Sequence, residues 1–142
     1  MKKENITSGP NQTKKLAEKF AKEILKNKSK KKSFIIGLEG ELGGGKTTFI
    51  QGLAKGLGVK EKILSPTFVI MKKFNNFYHI DCYRTQKSKE LLDLGFKEII
   101  SNPENIVVVE WAEKIKEIMP KNTIWIKFKF VNEKTRKITT KT

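Results

Sequence analysis

The chain contains only one cysteine, one histidine and two arginines, and each scarcity excludes a class of function. Cys82 has no second cysteine with which to form an internal disulfide. A zinc site built from cysteine and histidine ligands is excluded because His79 is the sole histidine. No apolar run approaches the length of a membrane span, and the polar residues after Met1 do not resemble a signal peptide. We therefore expect a cytoplasmic protein that does not associate with a membrane.

Acidic residues are also scarce relative to basic ones. The chain has 15 aspartates and glutamates and 30 lysines and arginines, which gives a formal net charge of +15. Such a surplus favours weak, salt-dependent attraction to RNA or to an acidic partner. Because almost all of the basic residues are lysines, and asparagine and isoleucine are frequent too, an AT-rich genome also explains the surplus. The densest lysine cluster, residues 26–32, is interpreted as a solvated connection between a helix and a strand, with a nucleic-acid patch as the alternative.

Residues 40–48 read Gly-Glu-Leu-Gly-Gly-Gly-Lys-Thr-Thr and match the phosphate-binding pattern G-x-x-x-x-G-K-[ST]. The glycines let successive backbone N–H groups turn towards phosphate oxygens, Lys46 supplies a mobile cation for the β- and γ-phosphates, and the Thr47 hydroxyl is a ligand for Mg²⁺. An apolar run precedes the loop and helical spacing follows it, as this motif requires. The pattern predicts that ATP and Mg²⁺ bind through Glu41, Leu42, Gly43, Gly44, Gly45, Lys46, Thr47 and Thr48.

Two acidic residues each follow a short apolar run. Asp81 comes after residues 77–80, and Glu110 comes after residues 106–109. A phosphate-loop ATPase needs a carboxylate at a strand end to hold Mg²⁺ or its water shell, so both residues are candidate metal ligands and candidate catalytic residues. Thr67 follows a rigid Ser-Pro pair. It is interpreted either as a switch residue that reaches Mg²⁺ and the γ-phosphate or as an ordinary threonine at the start of a strand.

His79 and Trp111 lie beside these acidic residues and have structural interpretations of their own. A lone histidine that alternates with aromatic residues in a strand is typical of a hydrogen-bonded structural residue. Trp111, next to Glu110, is interpreted as a core residue or as an aromatic side chain that stacks on a base or binds a partner.

The apolar periodicity predicts an α/β protein with a phosphate-loop NTPase-like mixed sheet, in which antiparallel pairs extend parallel central strands and helices flank the sheet. With 142 residues, the chain has the length of a single domain over residues 1–142. Residues 1–12 are interpreted as a disordered lead-in or as an edge strand. Predicted helices cover residues 13–27, 45–56, 91–100 with a break at Gly95, and 112–119. Predicted strands cover residues 33–38, 67–74, 77–81, 106–109, 124–131 and 137–140.

Five motifs together resemble the bacterial TsaE (YjeE) family, the small ATPases of tRNA threonylcarbamoyladenosine synthesis. In chain order they are the phosphate loop at 40–48, Ser-Pro-Thr-Phe at 65–68, His-Ile-Asp-Cys-Tyr-Arg at 79–84, Asp-Leu-Gly-Phe at 93–96 and Glu-Trp-Ala-Glu at 110–113. The resemblance spans nearly the whole chain, including the first helix and the closing pair of strands.

The resemblance implies a role for each matching residue. Lys46 and Thr47 correspond to the phosphate-loop lysine and magnesium threonine, Thr67 to the threonine of a switch-like segment, and Asp81 to a motif aspartate. Glu110 and Trp111 correspond to the family's Glu-Trp pair. The chain departs from the family pattern at Glu41, Gly44 and Cys82, where Asp, Ala and Leu are usual.

The resemblance also implies partners. Members of the family act with the transferase subunit and its non-catalytic paralogue, proteins of the TsaD and TsaB type, which modify adenosine 37 of tRNAs that read ANN codons. Their ATPase activity is weak alone and supports turnover of that complex. The implied function is therefore that of an accessory ATPase that contacts tRNA indirectly or binds it weakly.

The residues themselves leave two alternative functions open. A small phosphate-loop kinase shares the loop and the size range, but such kinases usually carry several arginines in a lid, and only Arg84 and Arg136 are available here. An RNA-binding module with a vestigial ATP site is the other alternative, because of the lysine excess. Arg84 is either an internal arginine finger or the partner of a carboxylate.

Overall fold

The computed structural model describes residues 2–27, 31–40, 45–61, 63 and 70–141. These residues form a mixed α/β fold with parallel and antiparallel strand pairs flanked by helices, which is the predicted fold class. The strands are β1 (Lys2–Ser8), β2 (Phe34–Gly40), β3 (Met71–Phe74), β4 (Phe77–Asp81), β5 (Ile106–Glu110), β6 (Ile124–Asn132) and β7 (Thr135–Lys141). The helices are α1 (Pro10–Asn27), α2 (Lys46–Gly56), α3 (Lys89–Asp93), α4 (Phe96–Ser101) and a 3₁₀ helix at Ala112–Ile118.

Most predicted elements are confirmed, with shifts at their ends. The N-terminal residues form the edge strand β1, and α1 begins at Pro10 rather than Thr13, because proline suits the first helical position, where its missing N–H is not needed. The break at Gly95 is confirmed by its left-handed φ of 87°. Strand β7 begins two residues before the predicted Lys137. In the predicted first hairpin strand, residues 67–69 lie outside the described residues.

The chain divides into two compact units. Unit 1 is drawn from Met1–Lys28, Gly40–Ser65 and Ile126–Lys141, and unit 2 from Ser29–Glu39, Pro66–Trp125 and Thr142. The single domain stays a prediction. None of the described helices is both long and apolar enough to cross a bilayer.

Unit 1 contains the antiparallel strands in the order β1-β7-β6 and the helix pair α1 and α2. The two helices approach closely because Gly52 and Gly56 of α2 face Ala17 and Ala21 of α1, and a Cβ atom at Gly52 would lie 2.5 Å from the carbonyl oxygen of Lys14. Phe49 forms an aromatic cluster with Phe20 and Phe128 in this unit, with ring-centroid distances of 6.2 Å to Phe20 and 5.4 Å to Phe128. Helix α2 is therefore held by the aromatic cluster near its N-terminus and by packing against α1 over its C-terminal half.

Unit 2 contains the strands in the order β2-β5-β4-β3. Strand β5 is buried throughout and pairs in parallel with both β2 and β4, as expected for an uninterrupted apolar strand. In this register Glu110 lies opposite Leu38 on one side and Asp81 on the other. The two predicted acidic residues thus end neighbouring parallel strands at the same edge, where functional groups gather in α/β sheets.

Candidate functional site

The phosphate-loop residues that the structure describes lie in unit 1, at the junction of β2 and α2. Gly40 ends β2 with φ of 132°, and a Cβ atom there would lie 2.3 Å from the carbonyl oxygen of Phe128. Gly45 has φ of 93° and immediately precedes α2. Gly40 therefore requires glycine for both its backbone conformation and the lack of space, and Gly45 requires it for its backbone conformation. The predicted binding residues Glu41, Leu42, Gly43 and Gly44 lie outside the described residues, as does Thr67.

Lys46 is the first residue of α2 and is only 5% exposed. Its Nζ donates a hydrogen bond of 2.7 Å to the carbonyl oxygen of Gly40. The first turn of α2 holds no acidic residue, so the ammonium group adds to the positive potential of the helix N-terminus. A buried cation at such a helix end, next to two required glycines, is suited to bind a phosphate group. Thr47 and Thr48 follow in the same turn and are half-buried.

Arg136 is a charged neighbour of the loop to which the sequence analysis assigned no site role. Its Cγ lies 3.8 Å from the position that a Cβ atom would occupy at Gly45. Its Nη1 donates to the carbonyl oxygens of Asn132 and Thr135 at 2.6 and 3.1 Å, and its guanidinium lies 4.7 Å from the centre of the Phe130 ring. Arg136 therefore orders the β6–β7 hairpin and brings a second cation near the start of α2. No local pattern in the sequence indicates this position.

The acidic candidate residues lie in unit 2. Glu110 is 3% exposed, and its Oε2 lies 2.7 Å from Nε2 of His79, which is completely buried. Asp81 is half-buried, and its Oδ1 accepts a hydrogen bond of 2.9 Å from the backbone N–H of Tyr83. The structure thus brings Asp81 and Glu110 together as predicted from the ends of their strands. The structure also places His79 in direct contact with Glu110, one of these two acidic residues.

Trp111 has a left-handed backbone, with φ of 56° and ψ of 39°. This conformation is uncommon for a bulky residue and stores strain. The half-buried indole lies 5.3 Å from the Tyr83 ring, and Nζ of Lys114 lies 5.4 and 5.8 Å from the centres of the Tyr83 and Trp111 rings. Lys114 also donates a hydrogen bond to the carbonyl oxygen of Tyr83. The segments that follow β4 and β5 therefore place two aromatic rings and a cation side by side.

Cys82 follows Asp81 and is fully buried. Burial raises the pKa of its thiol from 9.0 to about 12. At neutral pH the sulfur is protonated and therefore a poor nucleophile. Cys82 serves as a small residue of the hydrophobic core.

The candidate metal ligands are oxygen donors. Within residues 2–27, 31–40, 45–61, 63 and 70–141, no group of three or more His, Cys, Asp or Glu side chains could hold a metal ion. Mg²⁺ commonly uses one or two carboxylates together with substrate phosphates and water. The carboxylates of Asp81 and Glu110 and the hydroxyl of Thr47 are oxygen donors of the kind that Mg²⁺ prefers.

Comparison with known proteins gives a consistent result. A family model described as "Threonylcarbamoyl adenosine biosynthesis protein TsaE" matches residues 7–138. The protein of Bacillus subtilis named tRNA threonylcarbamoyladenosine biosynthesis protein TsaE is 40% identical over 109 residues, which cover 74% of this chain and 67% of that protein. The protein of the same name from Rickettsia bellii is 31% identical over 138 residues, covering 94% and 90%. The crystal structure of YdiB from Bacillus subtilis superimposes with a TM-score of 0.77 and 33% identity, covering 99% of this chain and 84% of that one.

Proposed function

The chain belongs to the TsaE family, and from this premise we propose that it is a cytoplasmic accessory ATPase for threonylcarbamoylation of adenosine 37 in tRNAs that read ANN codons. The observation that carries the proposal is the buried Lys46 at the N-terminus of α2, hydrogen-bonded to the first glycine of the phosphate loop. This arrangement suits a nucleoside triphosphate, and the family relatives are named for tRNA modification.

The proposed reaction is in-line attack of water on the γ-phosphate of ATP. Lys46 and the backbone N–H groups of the loop stabilise the negative charge that develops on the phosphate oxygens. Mg²⁺, when bound, neutralises charge on the β- and γ-phosphates. We assign Thr47, Asp81 and Glu110 as the residues that hold Mg²⁺ or its water shell.

Two further assignments complete the proposed site. Thr67 acts at the γ-phosphate as a switch residue, which the Ser-Pro-Thr motif supports. Trp111 contacts the nucleotide or a partner, which its position directly after Glu110 and its strained backbone support. Catalysis is thereby assigned to Lys46, Thr67, Asp81 and Glu110.

We further propose that the transferase subunit and its non-catalytic paralogue stimulate the ATPase. The test is steady-state phosphate release from ATP, measured for the protein alone and then with both partners and tRNA. Slow release that rises with the partners supports the accessory role. Rapid release that the partners leave unchanged contradicts that role, and transfer of labelled phosphate to a metabolite would instead identify a kinase.

Replacement of Asp81 by asparagine is expected to lower kcat for ATP hydrolysis about tenfold or more. The amide oxygen of asparagine still accepts the hydrogen bond from Tyr83 N–H, so the turn after β4 persists, while the negative charge that would attract Mg²⁺ is lost. The measurement is phosphate release at saturating ATP over a range of Mg²⁺ concentrations. Asp93→Asn on the exposed surface of α3 is the matched control. Normal turnover of Asp81→Asn at all Mg²⁺ concentrations would remove Asp81 from the mechanism.

A further inference from the structure

His79 and Glu110 form a buried pair on neighbouring parallel strands of unit 2. His79 lies opposite Val108 in the β4–β5 register, and Asp81 lies opposite Glu110. Since side chains two residues apart share a face of a strand, His79, Asp81 and Glu110 lie on the same face. The imidazole is 0% exposed, and its Nε2 is 2.7 Å from the Glu110 carboxylate.

We take Nε2–H of the imidazole as the donor and Oε2 of the Glu110 carboxylate as the acceptor in this hydrogen bond. The other ring nitrogen, Nδ1, is buried and has no hydrogen-bond partner among the described residues. In the described part of the chain, the polar contact of this imidazole is therefore with Glu110.

An apolar residue would avoid the cost of burying a ring nitrogen that has no partner among the described residues. Val108, which lies opposite His79 in the register, is aliphatic and completely buried, so an aliphatic side chain would suit the surroundings. The imidazole is thus better explained by what it does to Glu110 than by core packing. Its hydrogen bond occupies Oε2 and restricts rotation of the carboxylate.

We propose that His79 is a positioning residue for ATP hydrolysis, which orients the Glu110 carboxylate so that Oε1 accepts a hydrogen bond from the attacking water. The inference rests on the proposed function. His79 acts through Glu110 and does not touch the nucleotide. In this arrangement a hydrogen bond from a second residue fixes the direction of a functional side chain. Loss of such a bond typically lowers activity tenfold or more.

The kinetic test uses His79→Leu, His79→Gln and Glu110→Gln, with the double variant of His79→Leu and Glu110→Gln. We expect His79→Leu to lower kcat about tenfold while the dissociation constant for ATP stays within about twofold. His79→Gln, whose amide can donate from a similar position, recovers most of the rate. In the Glu110→Gln protein, His79→Leu has no additional effect, because the carboxylate that it positioned is gone.

The same kinetic data contain the results that would overturn the inference. If His79→Leu hydrolyses ATP at the wild-type rate, the positioning role is wrong. If it lowers kcat equally in the wild-type and Glu110→Gln backgrounds, its effect is a general structural one. If the wild-type protein itself hydrolyses no ATP with or without its partners, the proposed function is wrong, which is a separate outcome.

A spectroscopic test does not depend on activity or on the folding of His79 variants. Because the chain has one histidine, protein labelled with ¹⁵N-histidine gives one pair of ring-nitrogen resonances. We expect the proton on Nε2, and we expect Glu110→Gln to shift this resonance, whereas the control Glu98→Gln on the exposed surface of α4 leaves it unchanged. The inference would be overturned by a proton on Nδ1 with Nε2 unprotonated. It would also be overturned if Glu110→Gln left the Nε2–H resonance unchanged.

Discussion

Replacement of Lys46 by alanine is expected to weaken ATP binding about a hundredfold, equivalent to about 3 kcal/mol. The side chain is buried at the N-terminus of α2, so a phosphate group bound there would meet a cation with little competing water. Alanine removes this charge and also the donor that satisfies the carbonyl oxygen of Gly40. Hydrolysis is expected to fall further than binding, because the lysine also stabilises charge in the transition state.

The measurement is isothermal titration calorimetry with ATP and ADP in the presence of Mg²⁺. Lys55→Ala is the matched control, because Lys55 lies in the last turn of the same helix with its side chain 81% exposed. Its ion pair with Glu18, at 3.2 Å, is on the surface and contributes little. ATP affinity that is the same for wild type, Lys46→Ala and Lys55→Ala would contradict the assignment of the loop.

Replacement of Gly52 by alanine is expected to lower the free energy of unfolding by about 3 kcal/mol. In an exposed helix the same change would stabilise by up to about 1 kcal/mol, because alanine has the higher helix propensity. Here the new methyl group would lie 2.5 Å from the carbonyl oxygen of Lys14 and 2.9 Å from Cβ of Ala17. Both contacts involve atoms on or next to the backbone of α1, so the two helices must separate.

Chemical denaturation followed by circular dichroism measures this effect, again with Lys55→Ala as the control. The control changes the same helix without adding volume at its contact with α1, and its stability is expected to stay within about 0.5 kcal/mol of wild type. A Gly52→Ala protein as stable as the control would show that α1 and α2 are not held at the distance described.

Part of the candidate site could be predicted because its signals are local. The phosphate loop combines a fixed spacing of glycines with a lysine and a threonine, and the carboxylates follow apolar runs that parallel strands require. The structure confirms that Asp81 and Glu110 end neighbouring parallel strands. Their catalytic roles, and that of Lys46, stay predictions.

Other features depend on residues that are distant in the sequence. The helix predicted at 112–119 is a 3₁₀ helix with an irregular residue at Ile115, and the left-handed Trp111 before it lies beside Tyr83. Arg136 lies close to Gly45, although 91 positions separate them in the chain. Periodicity describes only neighbours along one element, so it contains no information on such contacts.

The sequence by itself determined the α/β class, the family resemblance and the segment predicted to bind phosphate, because each follows from short-range spacing of residue types. Only the tertiary structure decided that Nε2 of His79 lies within hydrogen-bond distance of Glu110 and that Gly52 is confined by the backbone of α1. The physical reason is that a hydrogen bond or a steric limit depends on distances of a few ångströms. Strand register and helix packing set those distances, and they emerge only when the whole chain folds.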